Sequence, residues 1–409
     1  MKAVKGIFRS LHVCFAVFLA VVSCGTQRKT AADNTVAENT TAPEAVSTIG
    51  GNADGRLAFG LSLFNEAVSA SGNAAENIVV SPYSAGMALS MLAEGAAGDT
   101  KAELVFALKN ASYSGDILES GDGCIISGAN SVWIRSGFPV LPGYASLLKN
   151  AYSAEIAERD FSVPATVKEI NKWCSDKTSG RIPEIIDNID SDMMMFLLNA
   201  LYFKAPWQYK FDKNSTFKAV FHSPSAVQNT DFMHIRKSFL CGEISGCKFV
   251  VLPYKSGNWN MVVCLPAEGV DMKDFLSYVN ADKFKSFMEA ATMQTVALSM
   301  PKFKVNTTLI MNSLLQSMGV HKAFSGAADF SAMTQAGVAV DEVRQKCFIE
   351  VNEEGSEAAA VTSVGVRLTS VRPEPRPFIM NVDRPFVFAI FNAENNDILF
   401  AGKIATIEN

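Results

Sequence analysis

Histidine is scarce in this 409-residue chain, with only His12, His222, His234 and His321 present. So few imidazoles leave little to activate a nucleophile or ligate a metal, which weakens any histidine-based reading. No Cys-x-x-Cys pair occurs, so a zinc or thiol-redox motif has no support. A Gly-x-x-x-x-Gly-Lys phosphate cradle and a Gly-x-Ser-x-Gly nucleophile elbow are both missing. Acidic residues are scattered, without the spacing of a general acid/base pair. Charged residues make up 19% and the net charge is −5, so no basic footprint for nucleic acid exists. An enzyme is therefore not expected, and neither is a metal, a cofactor or a nucleic-acid partner. What the chain does have is 48% hydrophobic residues, ample for one large core.

The N-terminus reads as a targeting segment. Lys2, Lys5 and Arg9 precede an apolar run over residues 11–22, followed by Ser23-Cys24. A basic start, a short apolar core and a small residue before the cut make a secretory signal. The run is short for a membrane span. Val21-Val22-Ser23-Cys24 resembles the bacterial lipobox, which implies a signal over residues 1–23 and a lipidated Cys24. The alternatives are an ordinary signal peptide with an incidental cysteine, or an uncleaved anchor. Residues 24–54 hold little bulky apolar surface to offset their ordering entropy and read as a flexible tether. The expectation is an exported, monomeric bacterial lipoprotein at the outer membrane or cell surface.

Beyond the tether the pattern is α+β. Residues 59–70 are amphipathic. Ser81 followed by Pro82 is an N-cap and first-turn signal for a helix over 83–94 that is apolar nearly all round and so buried. Gly98-Asp99-Thr100 should cap a helix over 101–108. Val167, Ile170, Trp173 and Cys174 share one helical face. Strands are expected at 131–134, 250–254, 259–266, 297–303, 386–391 and 398–401, and a helix over 309–318. Residues 193–203 form an apolar run with Asn199 inside it, whose amide needs partners. Cys241 and Cys247 could face each other across a hairpin, with buried free thiols as the alternative.

The most informative stretch runs from Phe348 to Pro377. A strand-like Phe348-Ile349-Glu350-Val351 meets an acidic turn and then a long proline-free run of small residues. Prolines follow at Pro373, Pro375 and Pro377. Proline cannot donate to a ladder, so the run before Pro373 can become a central strand and the run after it cannot. Alternation puts Ser356, Ala358, Ala360, Thr362 and Val364 on one face, all small or β-branched.

Glu353-Glu354-Gly355-Ser356-Glu357-Ala358-Ala359-Ala360 resembles the hinge of the inhibitory serpins, and the resemblance continues in order over residues 57–404. It implies three β-sheets, a bundle of about nine helices and an exposed reactive-centre loop at about 352–380, within one domain over residues 55–409. The hinge would comprise Glu354, Gly355, Ser356, Glu357, Ala358, Ala359 and Ala360. Tyr202-Phe203-Lys204-Ala205-Pro206-Trp207 looks like the strand leading to the tryptophan where insertion begins. Ser81, Ser84, Asn199 and Gln345 should cluster where the central strands part. Gln345 replaces the histidine usual in that family; it does not titrate near neutrality. The implied function is inhibition of serine, and possibly cysteine, endopeptidases by covalent trapping. The rivals are a non-inhibitory serpin acting as a carrier and an unrelated surface lipoprotein with hydrolase activity. The family's usual distance from Gly355 puts the scissile bond at Thr369–Ser370, with Arg367 and Leu368 as alternatives. Counting back from Pro385 gives Glu374, which precedes Pro375 and is disfavoured.

Overall fold

The computed structural model describes residues 53–115, 118–121, 123–190, 192–356 and 376–408. Its helices are α1 (Ala53–Ser71), α2 (Pro82–Gly95), α3 (Gly98–Ala107), α4 (Pro142–Tyr152), α5 (Pro164–Lys177), α6 (Met272–Tyr278), α7 (Ala281–Ala290) and α8 (Asn312–Ser317). The strands are β1 (Ile78–Val80), β2 (Leu118–Gly121), β3 (Cys124–Arg135), β4 (Glu155–Arg159), β5 (Met195–Pro206), β6 (Phe217–His222), β7 (Val227–Ile244) and β8 (Cys247–Pro253). They continue with β9 (Trp259–Leu265), β10 (Thr292–Pro301), β11 (Phe303–Ile310), β12 (Arg344–Asn352), β13 (Gly355–Ser356), β14 (Phe378–Asn381), β15 (Phe386–Asn392) and β16 (Ile398–Ile404).

The start of α2 follows from its local sequence. Ser81 is the N-cap and its hydroxyl accepts from Ser84 N, while Pro82 occupies the first turn, where no amide is needed. Nearly every side chain of α2 is buried, because the helix packs on α1 and between the two sheets, against β5 and β16. The α3 helix starts earlier than its sequence suggests. Gly98 is already helical, Ala97 caps without a side-chain bond, and Thr100 instead accepts from Asp329 N at 3.0 Å. The apolar run at 309–318 is only partly helical. Leu309 and Ile310 finish β11, because β12 pairs with it as far as Ile310↔Arg344.

One sheet has nine strands in the order β1-β16-β15-β9-β8-β7-β10-β14, with β6 also on β7. The 18-residue β7 carries β6 at its start, β10 along its middle and β8 at its end. Two of the three expected sheets thus share this strand in one ladder. The other sheet has seven strands in the order β11-β12-β13-β5-β3-β2, with β4 on β3. The central strands of the nine-stranded sheet, β8, β9, β15 and β16, are mostly apolar and mostly buried, each with a single Lys or Asn, as expected where both faces are covered.

The β7–β8 hairpin does not join Cys241 to Cys247. Cys241 lies opposite Val250, and Cys247 lies opposite Ile244 beside the turn. The Cys247 thiol contacts Cys264 on β9 instead. All six described cysteines are buried and form no disulfide among the described residues, and burial pushes the Cys174 and Cys347 thiols up to about 12. These are unreactive core residues.

Candidate functional site

The chain turns back on itself immediately after β12. Glu353 and Glu354 form the turn, and β13 returns antiparallel with Val351↔Ser356 and Asn352↔Gly355. On its other edge β13 pairs with β5, through Gly355↔Pro206 and Ser356↔Ala205. Two residues therefore lie as a short strand between β12 and β5. Among the described residues, β12 and β5 share no ladder pairs with each other.

Trp207, just past the end of β5, holds the turn in place. Its indole N–H donates to the Asn352 carbonyl at 2.9 Å and its backbone N–H to the Glu354 carbonyl at 2.9 Å. Phe211 N donates to the Glu353 carbonyl at 3.0 Å. The Trp207 ring stacks on Tyr254 with centroids 4.5 Å apart and planes 10° from parallel. The Tyr254 hydroxyl in turn shares a 2.7 Å hydrogen bond with Ser356 Oγ. Burial pushes the Tyr254 hydroxyl far above its usual range, so it stays protonated at any pH of interest.

Each acidic side chain of the turn has its own cation. Glu353 is bound by Lys302 at 3.2 Å and accepts from Thr216 Oγ1 at 2.8 Å. Glu354 is bound by Lys210, and by Lys213 at 3.2 Å. Burial raises both carboxyls. For Glu353 its own backbone N–H, Thr216 and Lys302 outweigh that, and for Glu354 the two lysines do. Both end below the usual carboxylate range.

Further down, a cavity of about 710 Å³ opens at the lower ends of β5 and β12, floored by α2. Residues 193–199 form one wall and residues 338–346 another, with Ser84, Ala85 and Leu89 beneath. Small or β-branched side chains on an added strand would meet an apolar floor here. Among the described residues, no group of three or more His, Cys, Asp or Glu is gathered to hold a metal ion.

The family model described as "Serpin (serine protease inhibitor)" matches residues 54–407. The chain belongs to the serpin family. Iripin-8 of Ixodes ricinus is 32% identical over 85% of this chain and 91% of its own length. An uncharacterised serpin-like protein of Thermococcus kodakarensis is 31% identical over 80% of each chain. The crystal structure of a thermophilic serpin, Tengpin, in the native state superimposes with a TM-score of 0.79 at 30% identity, covering 87% of this chain and 94% of that one. Tengpin in the latent state gives 0.75. Thyroxine-binding globulin with thyroxine shares the fold, with a TM-score of 0.76 at 23% identity over 87% of this chain and 99% of that one.

In this serpin hydrogen bonds join Gln345 to Ser81 and Ser81 to Ser84, while Asn199, which lines the same cavity as Ser84 and Gln345, bonds to Asn130 instead. Gln345 Oε1 accepts from Ser81 N and its Nε2 donates to the Ser81 carbonyl, both at 2.9 Å. The amide thus closes the N-terminus of α2 from β12. Asn199 Nδ2 donates to Asn130 Oδ1 at 2.7 Å, and Asn130 passes the chain on to the Tyr152 carbonyl. Asn199 Oδ1 is buried without a hydrogen-bond partner among the described residues. Ser84, Asn199 and Gln345 line the same cavity. Of the expected hinge, Glu354, Gly355 and Ser356 are described. Glu357, Ala358, Ala359, Ala360, the scissile candidates Arg367, Leu368, Thr369 and Ser370, and the lipidation candidate Cys24 lie outside the described residues. Tyr254, Lys210, Lys213, Lys302 and Asn130 are site residues that the sequence did not single out. Lys210 and Lys213, three and six residues after Trp207, are the local signal from which partners for the double glutamate could have been sought.

Proposed function

We propose that this serpin is a suicide substrate for serine endopeptidases, with cysteine endopeptidases as a second target class, and with a reactive bond at Thr369–Ser370 and Arg367 and Leu368 as alternative sites. The observation that carries this reading is the seating of Gly355–Ser356 between β12 and β5. The first step of strand insertion is thereby in place, and the sequence that follows continues in alternating small residues. A protease attacks the loop and forms an acyl-enzyme. The freed segment, residues 357–369 for a cut at Thr369–Ser370, then zips down between β5 and β12, drawing the acylated protease with it before water can release it. Pro373 limits how far along the loop the bond can lie, since it has no amide for the ladder. Acylation and deacylation are the protease's chemistry; this chain supplies only the bond and the slot.

Insertion needs small side chains on the inward face. Ala358→Arg should therefore turn the inhibitor into a substrate that is cleaved and released. Ser356→Arg tests the same face less cleanly, because Ser356 is already buried at 2% exposure beneath Tyr254. Cys24 would carry the lipid anchor of a monomeric, exported bacterial protein at the outer membrane or cell surface.

The test mixes the full chain, in detergent, with trypsin, elastase, subtilisin and a papain-like protease. A band of combined mass that survives denaturant is the expected result, and the released peptide's first residue identifies the bond. Clean cleavage by every protease with no such band would overturn the inhibitory reading in favour of a carrier.

A further inference from the structure

Five methionines line the cavity at the lower ends of β5 and β12: Met193, Met194, Met195, Met311 and Met333. Met311 and Met333 are buried in the core, at 2% and 3% exposure. Met193, Met194 and Met195 are half-buried, lying in succession where β5 begins. Their backbone is fixed from β3. Arg135 Nε donates to the Met193 carbonyl at 2.7 Å, and Arg135 N to the Met194 carbonyl at 2.9 Å. Three methionines, none of them fully buried, thus follow one another in a wall of the slot.

A thioether is apolar and adapts its shape, whereas a sulfoxide is polar, chiral and a strong acceptor. Asn199, a lining residue of the cavity, already has a buried amide oxygen without a donor among the described residues. Backbone donors of an arriving strand are committed to the ladders of β5 and β12. Sulfoxide oxygens placed here would be desolvated without compensation as the strand arrived.

We propose that Met193, Met194 and Met195 are a modification site for peroxide-class oxidants, and that their conversion to sulfoxides blocks strand insertion and turns the inhibitor into a substrate. In each event a sulfur lone pair attacks one peroxide oxygen, an S–O bond forms and the O–O bond breaks. Sulfur loses two electrons, and the second oxygen leaves as water with both protons. The inference rests on the insertion mechanism proposed above. The sequence makes it separable from damage to the loop, because residues 352–378 contain neither methionine nor cysteine. Met293 on β10 supplies an internal control, being 61% exposed and outside the lining of this cavity.

The test treats the full chain with hydrogen peroxide, maps sulfoxides by peptide mass spectrometry, and measures the yield of denaturant-stable complex with a protease that the untreated chain traps. Sulfoxides at Met193, Met194 and Met195 should lower the yield by about tenfold, equivalent to ~1.4 kcal/mol on the partition between insertion and hydrolysis. Methionine sulfoxide reductase should restore it. The triple variant Met193→Leu, Met194→Leu, Met195→Leu should lose no yield on peroxide treatment relative to the same variant untreated, while Met293→Leu should stay as peroxide-sensitive as the parent chain. Undiminished trapping with all three oxidised overturns the inference, as does unchanged sensitivity in the triple variant or no recovery after reduction. If the untreated chain traps no protease, the inhibitory reading fails by itself. The site is then decided by the rise in melting temperature on loop cleavage, which sulfoxides should abolish and whose persistence would overturn the inference.

Discussion

A β-carbon at position 355 would lie 2.1 Å from the Ala205 carbonyl oxygen and 2.6 Å from Pro206 Cα, with φ at +153°. Both the space and the backbone conformation therefore require glycine. Gly355→Ala should expel β13 from between β12 and β5, breaking the Ser356–Tyr254 hydrogen bond. Strain at such a residue is worth about 1–3 kcal/mol. Amide exchange at Trp207 and Phe211, whose N–H groups are held by the turn, should accelerate by about tenfold to a hundredfold in the variant, since ~1.4 kcal/mol is a factor of ten. Exchange at the wild-type rate would show that the turn does not depend on this glycine. At this scale the sequence was readable where a residue's reason is local. Ser81 capping α2 is of that kind. Tyr254 was not legible, because its role comes from Ser356, 102 residues away, and from a stacked Trp207.

The turn between β12 and β13 behaves as a unit, and its charges give it a pH dependence. Glu353 and Glu354 titrate below the value of about 4.3 that an unfolded glutamate has. A carboxyl depressed on folding adds stability that is complete above its unfolded pKa and is lost as pH falls through the folded one. The wild type should therefore melt higher than the double variant Glu353→Gln, Glu354→Gln at pH 7. That difference should hold down to about pH 5 and shrink steadily below about 4.3. A gap in melting temperature that stays constant to pH 3 would mean the lysines do not stabilise the ionised forms. Elements followed the sequence unevenly for a related reason. Helices α2 and α5 were legible from caps and period, which are short-range. The helix expected at 309–318 was curtailed because the apolar run also satisfies a strand, and pairing with β12 took its first residues. The continuity of β7 through two sheets and the seat of β13 depend on partners far along the chain, which no local pattern encodes.

For the molecule as a whole, the proposed insertion is a question of free energy. Among the described residues, β5 and β12 share no ladder pairs with each other below Ser356, and the cavity lies between them. An edge without a partner is a cost that a fold usually covers, and here the segment following Ser356 has the composition to cover it. Ladder bonds for a dozen or so residues contribute ~1 kcal/mol each, and ordering the loop takes back a comparable amount. The sign is set by burial: each small apolar side chain shut into the cavity floor adds about 25 cal/mol per Å² of covered surface. A domain of this size has an unfolding entropy such that 1 kcal/mol moves the melting temperature by roughly 1–2 °C. Calorimetry before and after limited cleavage should therefore show the nicked protein melting about 10 °C higher or more, whereas a nick in an ordinary surface loop lowers the melting temperature or leaves it alone. An unchanged or lower value would mean that the slot between β5 and β12 does not accept the loop. The two residues of β13 would then be a fixed hairpin and not the leading end of a strand.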